Sequence, residues 1–192
     1  MPRRNNTKAK IAKVAWRLFH EKGYDATTID DIIEQSGTSK GSFYHYYSGK
    51  DALLATLPEI FDAKYEEAIG TLDPEMNSYD KLLELCYIVH DMINEEIPIG
   101  LLAYLYSSQV VTKGDKHLLD RNRFYYRMVT ELVDEGQRRG QIISTMPYYE
   151  IARIYSMCER AIISEWCLCD WSFSLKSYAE RVLPLLLRGI KK

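Results

Sequence analysis

Apolar residues recur along most of the chain at the spacing of an amphipathic α-helix, whereas the alternation typical of a strand is scarce. In the first such segment, Ile11, Ala15, Leu18 and Phe19 form a single stripe, and Gly23 follows as a helix stop. The pattern predicts an all-α protein of about nine helices, in which three short N-terminal helices precede a longer helical part.

Residues 27–53 read TTIDDIIEQSGTSKGSFYHYYSGKDAL and contain two short helical patterns on either side of a glycine. Thr27 or Thr28 is placed to cap the first helix, with an acidic residue three positions later. Gly37 permits a tight turn, and a threonine or serine just after it is placed to cap the second helix. Two short helices joined in this way are the layout of a helix-turn-helix DNA reader.

Beyond this segment, a fourth helix is predicted from about Gly49 to Ile69, bent at Pro58 because proline removes a backbone hydrogen bond. A linker containing Pro74 follows. Further helical patterns cover about 79–96, 99–111, 116–139, 148–169 and 175–188. We therefore expect a helix-turn-helix domain at residues 1–50 and a second helical domain at residues 51–192.

The net charge of −2 hides an asymmetry along the chain. Residues 1–50 carry nine basic and five acidic side chains, so the remainder carries an excess of six negative charges. A basic end on an acidic body would orient the molecule toward a polyanion such as DNA. On charge alone, a chance cluster on a solvated face explains the asymmetry equally well.

The second short helix has the chemistry of a recognition helix, because its first half carries only short or polar side chains that let the backbone approach base edges. Lys40 can bond a guanine, and Lys50 lies at a helix start where an anion is favoured. Arg3, Arg4 and Lys8 form a basic N-terminal arm that is suited to a groove. We predict DNA contacts from Thr27, Thr28, Thr38, Ser39, Lys40, Gly41, Ser42, Tyr44, His45, Tyr46 and Lys50.

Across about residues 8–55 the chain resembles the DNA-binding domain of the tetracycline-repressor (TetR) family. The resemblance rests on Phe19, Gly23, Tyr24, Thr27, Thr28, Ile29, Ile32, Gly37, Ser39, Lys40, Gly41, Ser42, Phe43, Tyr44, Tyr47, Lys50 and Leu53. Ile33 and Ser36 depart from the alanine that is usual in the family. Downstream, the likeness is limited to the all-helical pattern, the length and the segment RRGQI at residues 138–142.

The resemblance implies a homodimer that binds a palindromic double-stranded DNA operator, usually as a repressor. It further implies that residues 51–192 form a ligand-controlled domain that also provides the dimer contacts. Aromatic and polar-tipped side chains in that part suit an apolar or aromatic small ligand, although each of them also suits an ordinary core. The candidate ligand contacts are Tyr87, His90, Tyr104, Tyr125 and Trp166.

Two apolar stripes on the last long helices are predicted to build the dimer as a four-helix bundle, with burial inside one monomer as the alternative. A dimer is favoured because a single DNA-binding domain contacts few bases. The candidate interface residues are Ile151, Tyr155, Cys158, Ile162, Tyr178, Val182 and Leu186.

The cysteines suggest reduced thiols rather than a disulfide framework. Cys167 and Cys169 could bind a soft metal across a dimer, but free helical cysteines are more often packed apolar groups, so no metal or other cofactor is expected. The chain has neither an apolar signal segment nor a run near the roughly 18–20 residues that span a bilayer, so a cytoplasmic protein without membrane contact is expected.

Two other classes of function compete with DNA regulation. An enzyme is not expected, because the sequence has no nucleophile–base arrangement, phosphate loop or metal-spaced ligand set. A helical adaptor that binds a protein through its acidic body would need no small ligand. Within DNA regulation itself, an activator or a regulator that requires a co-ligand also fits the residues.

Overall fold

The computed structural model describes the backbone of residues 3–98, 100–111 and 116–192, and the side chains of these ranges from Thr7 onward. Within these ranges the regular structure is helical, apart from one isolated bridge between Ile142 and Lys191. The prediction of an all-α protein is therefore confirmed. The described ranges contain no helix that is long and apolar enough to cross a membrane.

The described ranges contain ten α-helices and two single-turn 3₁₀-helices, at 117–119 and 188–190. The α-helices are α1 (Arg3–Lys22), α2 (Ile29–Ser36), α3 (Lys40–Tyr46), α4 (Asp51–Leu54), α5 (Leu57–Ile69), α6 (Ser78–Glu96), α7 (Leu101–Val111), α8 (Phe124–Arg138), α9 (Tyr148–Leu168) and α10 (Leu175–Leu186).

Three boundaries differ from the sequence prediction. Helix α1 begins at Arg3, so the expected basic arm is helical in its backbone; the side chains of Arg3 and Arg4 lie outside the described residues. The predicted helix at 116–139 is a short 3₁₀ turn followed by α8, which begins at Phe124. The predicted helix at 99–111 begins at Leu101 in the structure, and residue 99 lies outside the described ranges.

The single bent helix expected from about Gly49 to Ile69 is wrong, because the structure has two helices there. Helix α4 ends at Leu54, and α5 begins at Leu57 with Pro58 in its first turn. Proline cannot donate a hydrogen bond to the carbonyl four residues earlier, so a continuous helix would leave that carbonyl unpaired, whereas the first turn of a helix needs no such bond. Thr56 ends α4 instead, since its amide and its hydroxyl both donate to the Leu53 carbonyl, at 3.0 and 2.6 Å.

The chain forms two compact units. The first comprises residues 1–58 and 97–114, and thus contains α7 in addition to the N-terminal helices. The predicted stripe of α1 is confirmed, because Ile11, Ala15, Leu18 and Phe19 are all buried in the core of this unit. That core also contains Ile32, Phe43, Tyr47, Leu53 and Leu54. The functional division at residue 50 stays a prediction.

The second unit comprises residues 59–96 and 115–192. Helix α6 packs against both α8 and α10, and α9 packs against the same two helices. Its buried apolar residues include Leu82, Leu85, Val89, Ile93, Val129, Val133, Ile151, Tyr155, Leu175 and Leu183.

A close contact in the second unit explains one helical glycine. Gly136 lies near the end of α8, and a Cβ there would lie 2.6 Å from Ile142 Cδ1 and 3.2 Å from Ser78 Cβ. The Gly136 carbonyl also accepts the amides of Gln141 and Ile142, so the chain turns back tightly onto the helix. Any side chain at this position would push the turn away from α6.

We expect Gly136→Ala to lower the free energy of unfolding by about 1–3 kcal/mol, because it overpacks this contact. Thermal or urea unfolding followed by circular dichroism measures the change. Gly189→Ala is the matched control, since a Cβ at Gly189 meets nothing within 4 Å. Equal stability of the two variants would contradict the packing argument.

Candidate DNA-binding surface and buried polar centre

Local capping interactions form the helix-turn-helix. Thr28 caps α2, because its hydroxyl accepts the Asp31 amide at 3.1 Å while the Asp31 carboxylate accepts the Thr28 amide at 2.7 Å. Gly37 ends α2 with a φ of 60°, a left-handed conformation that favours glycine. Ser39 then caps α3 by accepting the Ser42 amide at 3.1 Å. The capped helices and the turn predicted from the sequence are confirmed.

One face of α3 is anchored and the other is open. Phe43 is fully buried, and the Tyr47 just after the helix is also buried and donates its hydroxyl to the Lys8 carbonyl at 3.2 Å. Lys40, Gly41, Tyr44 and His45 are exposed. The anchored face fixes the direction in which the exposed residues point.

The open face includes a glycine that the fold does not require. A Cβ at Gly41 would meet only the Ser39 hydroxyl oxygen, at an ordinary contact distance of 3.9 Å. Lys40 is only loosely held, since its ammonium lies 3.7 Å from the Asp30 carboxylate and both side chains are mostly exposed. Gly41 and the exposed Lys40 at the start of α3 therefore have no evident role in packing. A glycine beside an exposed cation suits close approach to DNA.

One predicted phosphate contact, Thr27, is wrong, and a second, Lys50, is engaged within the first unit and stays a prediction. Thr27 is buried, and its hydroxyl donates to the Gly23 carbonyl at 2.7 Å. The Lys50 ammonium lies 2.6 Å from the Tyr24 carbonyl oxygen, 3.0 Å from that of Thr27 and 3.4 Å from that of Asp25. It also lies 4.2 Å from the centre of the Tyr24 ring. Lys50 and Thr27 thus hold the loop between α1 and α2 together, because their donors are used within the unit.

The remaining candidate DNA contacts lie at or near the open face and stay predictions. The Thr28 and Ser39 hydroxyls act as helix caps, so their side chains are partly occupied. Thr38 shares a 2.8 Å hydrogen bond with Ser36, and Ser42 accepts the Ser39 hydroxyl at 3.0 Å. Tyr46 packs edge-on against His45, with ring centres 4.7 Å apart.

Tyr104 of α7 belongs to the first unit and bonds residues of that unit, and its role as a ligand contact stays a prediction. Its ring lies 4.5 Å from that of Tyr24, and its hydroxyl donates to the Asp25 carboxylate. This hydrogen bond raises the pKa of the Tyr104 hydroxyl. Tyr24 in turn donates to Asp51 at 2.5 Å, and burial raises the pKa of Tyr24. The sequence contained no signal for either tyrosine–aspartate pair, because the partners are far apart in the chain.

The core of the second unit contains a buried polar centre around Glu159. Tyr65 donates to one carboxylate oxygen at 2.9 Å, and Tyr125 donates to the other. The Cys86 thiol also bonds the carboxylate, and burial raises the pKa of Glu159. His90 lies one turn from Cys86, and burial lowers the pKa of its imidazole to about 3.

Two of the five predicted ligand contacts, His90 and Tyr125, are thus brought to one place. The indole of Trp166 is engaged elsewhere, since it donates to the Phe173 carbonyl at 2.8 Å and closes the turn after α9. Tyr87 lines a separate, mainly charged surface groove of about 320 Å³, together with Asp91, Lys176 and Glu180. Tyr87 and Trp166 are therefore not part of that polar centre, and the ligand roles of all five side chains stay predictions.

Sequence reasoning missed Glu159, Tyr65 and Cys86, although one signal was available. Glu159 interrupts the apolar stripe of α9 that runs through Tyr155 and Ile162. A carboxylate on a buried stripe requires hydrogen-bond partners, so it marks a polar centre.

Three predicted dimer contacts are wrong. Ile151, Tyr155 and Ile162 lie in the core of the second unit with at most 2% of their surface exposed, so a partner subunit cannot touch them. Cys158, Tyr178 and Val182 are partly exposed, and Leu186 is half exposed. Further exposed apolar side chains on the same two helices are Met157, Leu168 and Leu185.

Comparison with known proteins agrees with the geometry of α2 and α3. The family model described as "Bacterial regulatory proteins, tetR family" matches residues 11–57, which contain both helices and the turn. The HTH-type transcriptional regulator HbdR of Aromatoleum sp. (strain CIB) is 24% identical over 181 residues, covering 93% of this chain and 78% of that protein. The HTH-type transcriptional repressor KstR2 of Mycobacterium tuberculosis is 22% identical over 196 residues, covering 98% of this chain and 94% of that protein.

The helical body matches solved structures as well. The structure of Thermus thermophilus FadR, a TetR-family transcriptional repressor in complex with lauroyl-CoA, has the same fold, with a TM-score of 0.74 and 19% identity over 95% of this chain and 94% of that one. The family consists of DNA-binding regulators rather than enzymes, so the prediction that the chain is not an enzyme is confirmed. The capped helix-turn-helix and the family match show that residues 11–57 form a DNA-binding domain of the TetR type found in bacterial transcriptional regulators, and the chain as a whole shares the fold of a solved TetR-family repressor.

Proposed function

We propose that two copies of this chain repress transcription by binding a palindromic operator, and that a small ligand in the second unit releases them. The observation that carries this proposal is the open start of α3, where the small residues Gly41 and Ser42 follow the exposed Lys40 while Phe43 anchors the opposite face of the helix in the core. An exposed helix of this kind fits the major groove.

Within this proposal, different residues of α3 contact the bases and the sugar-phosphate backbone. Lys40 reads a base edge, because its ammonium is exposed and only weakly paired. Tyr44 and His45 contact the sugar-phosphate backbone from the middle of the helix, and phosphate contacts of this kind fix the register on DNA. Thr27 and Lys50 contribute indirectly, by holding the loop that leads into α2.

The dimer is proposed to form through the outward faces of α9 and α10. Met157 and Leu168 of α9 are 52% and 80% exposed, and Leu185 and Leu186 of α10 are 70% and 50% exposed. Large apolar side chains at such exposure are typical of surfaces that a second subunit covers. The proposed interface lies on the helices expected from the sequence, but on their outer faces.

The ligand is proposed to bind near the buried centre formed by Glu159, Tyr125 and His90. Hydroxyl, carboxylate and imidazole groups within an apolar core could fix the orientation of a largely apolar ligand. The transcriptional regulator FadR of Bacillus subtilis has been solved in complex with stearoyl-CoA and that of Thermus thermophilus in complex with lauroyl-CoA; both share the fold of this chain, which supports a small ligand here. Because binding free energies are linked, a ligand that releases the operator must bind more weakly to the DNA-bound protein.

Selection of the purified full chain on random double-stranded DNA, with sequencing of the bound pool, tests this function. We expect a palindromic site whose half-site centres lie about 34–36 Å apart or a multiple of that distance. Failure of folded protein to enrich any sequence at low salt would contradict the proposal and favour an adaptor or a regulator that needs a co-ligand. The enriched site then provides the probe for a ligand screen.

Gly41→Ala should weaken operator binding at least tenfold without destabilising the protein. The added methyl group has room within the fold, and helix propensity favours alanine by up to about 1 kcal/mol. The same methyl group would separate the backbone from the base edges. Fluorescence anisotropy with a labelled operator and thermal unfolding measure the two effects, and unchanged affinity would remove Gly41 from the DNA surface.

Lys40→Ala and Lys50→Met should have different effects. Lys40→Ala is expected to leave stability unchanged, since an exposed ion pair contributes about 0–1 kcal/mol, but to relax preference at one or two base positions. Lys50→Met should lower the free energy of unfolding by about 1–3 kcal/mol, because three carbonyl groups lose a charged donor. Unfolding curves and repeated DNA selection measure both; a Lys50→Met protein of full stability would refute the loop-holding role.

Met157→Glu combined with Leu186→Glu should convert a dimer to a monomer, because charges would be buried at the proposed interface. Sedimentation velocity of the full chain measures the change. Leu119→Glu is the control, since Leu119 is 53% exposed but does not lie on α9 or α10. A double variant that remains dimeric would place the interface elsewhere.

A further inference from the structure

The buried polar centre of the second unit has an unusual composition. Three metal-binding side chains meet in the core: Cys86 and His90 one turn apart on α6, and Glu159 from α9. All three are buried, and their sulfur, nitrogen and oxygen atoms lie within 4.8 Å of one another. Protein cores are normally filled by apolar groups, so three polar side chains buried together require an explanation.

The carboxylate at the centre has hydrogen-bond donors but no cation in the part of the chain that the structure describes. Tyr65 and Tyr125 each face one oxygen of Glu159, which is the pairing that an ionised carboxylate prefers. None of the ion pairs in the described ranges includes Glu159. A buried ionised carboxylate is costly unless a positive charge compensates it.

The imidazole of His90, next to Glu159, likewise lacks well-placed hydrogen-bond partners among the described residues. His90 is fully buried, and the Cys86 sulfur lies 3.6 Å from both of its ring nitrogens. One thiol cannot satisfy two ring nitrogens well, so the ring retains a nitrogen that can take a further partner. A neutral imidazole is the form that binds metal ions.

We propose that Cys86, His90 and Glu159 bind a divalent metal ion of borderline softness, with zinc as the preferred ion. Thiolate, imidazole and carboxylate are the three ligand types of zinc sites in proteins. One thiolate and one carboxylate balance a double positive charge, so the loaded centre would be neutral in the core.

The distances fit this assignment. With metal–ligand bonds of about 2.0–2.3 Å in tetrahedral geometry, neighbouring ligand atoms lie roughly 3.5 Å apart. The Cys86 sulfur and the His90 nitrogens are already at 3.6 Å, and Glu159, which lies within 4.8 Å of both, needs to approach by about 1.3 Å at most. Three protein ligands leave a fourth position open for a water molecule or an external ligand.

The surrounding tyrosines act as outer supports of the site. Tyr65 and Tyr125 hold the carboxylate through the oxygen lone pairs that a metal would leave free. Tyr155 lies against the same group and is fixed by donating to the Leu82 carbonyl at 2.7 Å, which ties α9 to α6. Metal sites in proteins commonly have a hydrogen-bonded outer layer of this kind.

The test uses the full chain after treatment with a chelator, titrated with Co²⁺ alone and then with Zn²⁺. We expect one Co²⁺ per chain, with the absorption bands of tetrahedral cobalt and a thiolate-to-cobalt charge-transfer band that Zn²⁺ removes. Cys86→Ser should abolish the charge-transfer band, whereas Cys158→Ser, which removes a neighbouring thiol outside the centre, should leave it unchanged. Absence of bound cobalt, or loss of the band in Cys158→Ser, would overturn the assignment.

Glu159→Gln distinguishes a role of Glu159 as a metal ligand from a purely structural role. It retains the shape and oxygen acceptor of the side chain and removes the buried charge, so the metal-free variant should be at least as stable as the parent. Zn²⁺ should raise the unfolding temperature of the parent but not of this variant. An equal rise in both would overturn the role of Glu159.

Tyr125→Phe tests the outer layer and remains informative if Cys86→Ser does not fold. It should weaken Co²⁺ binding by about 10- to 100-fold while keeping the charge-transfer band. Unchanged Co²⁺ affinity would remove Tyr125 from the site. Operator binding is not measured in these experiments, so a negative result would overturn the metal site and leave the proposed repressor function standing.

Discussion

Three backbone carbonyl groups of the loop between α1 and α2 converge on the ammonium group of Lys50. This loop sets where α2 begins, and α2 with its glycine turn sets where α3 lies. The same ammonium packs on the Tyr24 ring, whose hydroxyl is bound by Asp51 at the start of α4. The orientation of α3 therefore depends on one lysine whose ammonium group is bonded within the first unit.

Tyr24 also connects this arrangement to α7. Its ring packs on Tyr104, and Tyr104 is hydrogen-bonded to Asp25 of the same loop. Helix α7 thus contacts the loop residues that position α2 and α3, although it follows them by about eighty positions in the chain.

The second unit is built around a different constraint, the burial of Glu159. A carboxylate in an apolar core has to be satisfied on both oxygens, and tyrosines from α5 and α8 provide the donors. Helices α5, α6, α8 and α9 consequently meet at one polar point. The same point is where the proposed ligand and the proposed metal ion would act on the packing of four helices together.

Local patterns in the sequence determined the helical class, the cap at Thr28, the turn at Gly37 and the exposed start of α3, because caps, glycine turns and apolar spacing depend on residues within a few positions of one another. Only the tertiary structure decided what each buried face touches. The apolar stripe through Ile151 and Tyr155 correctly indicated that these residues are buried. It did not indicate that they are buried by the chain's own core rather than by a second subunit. The roles of Lys50, Tyr104 and Glu159 likewise depend on partners that are distant in sequence, and helical periodicity carries no information about such pairs.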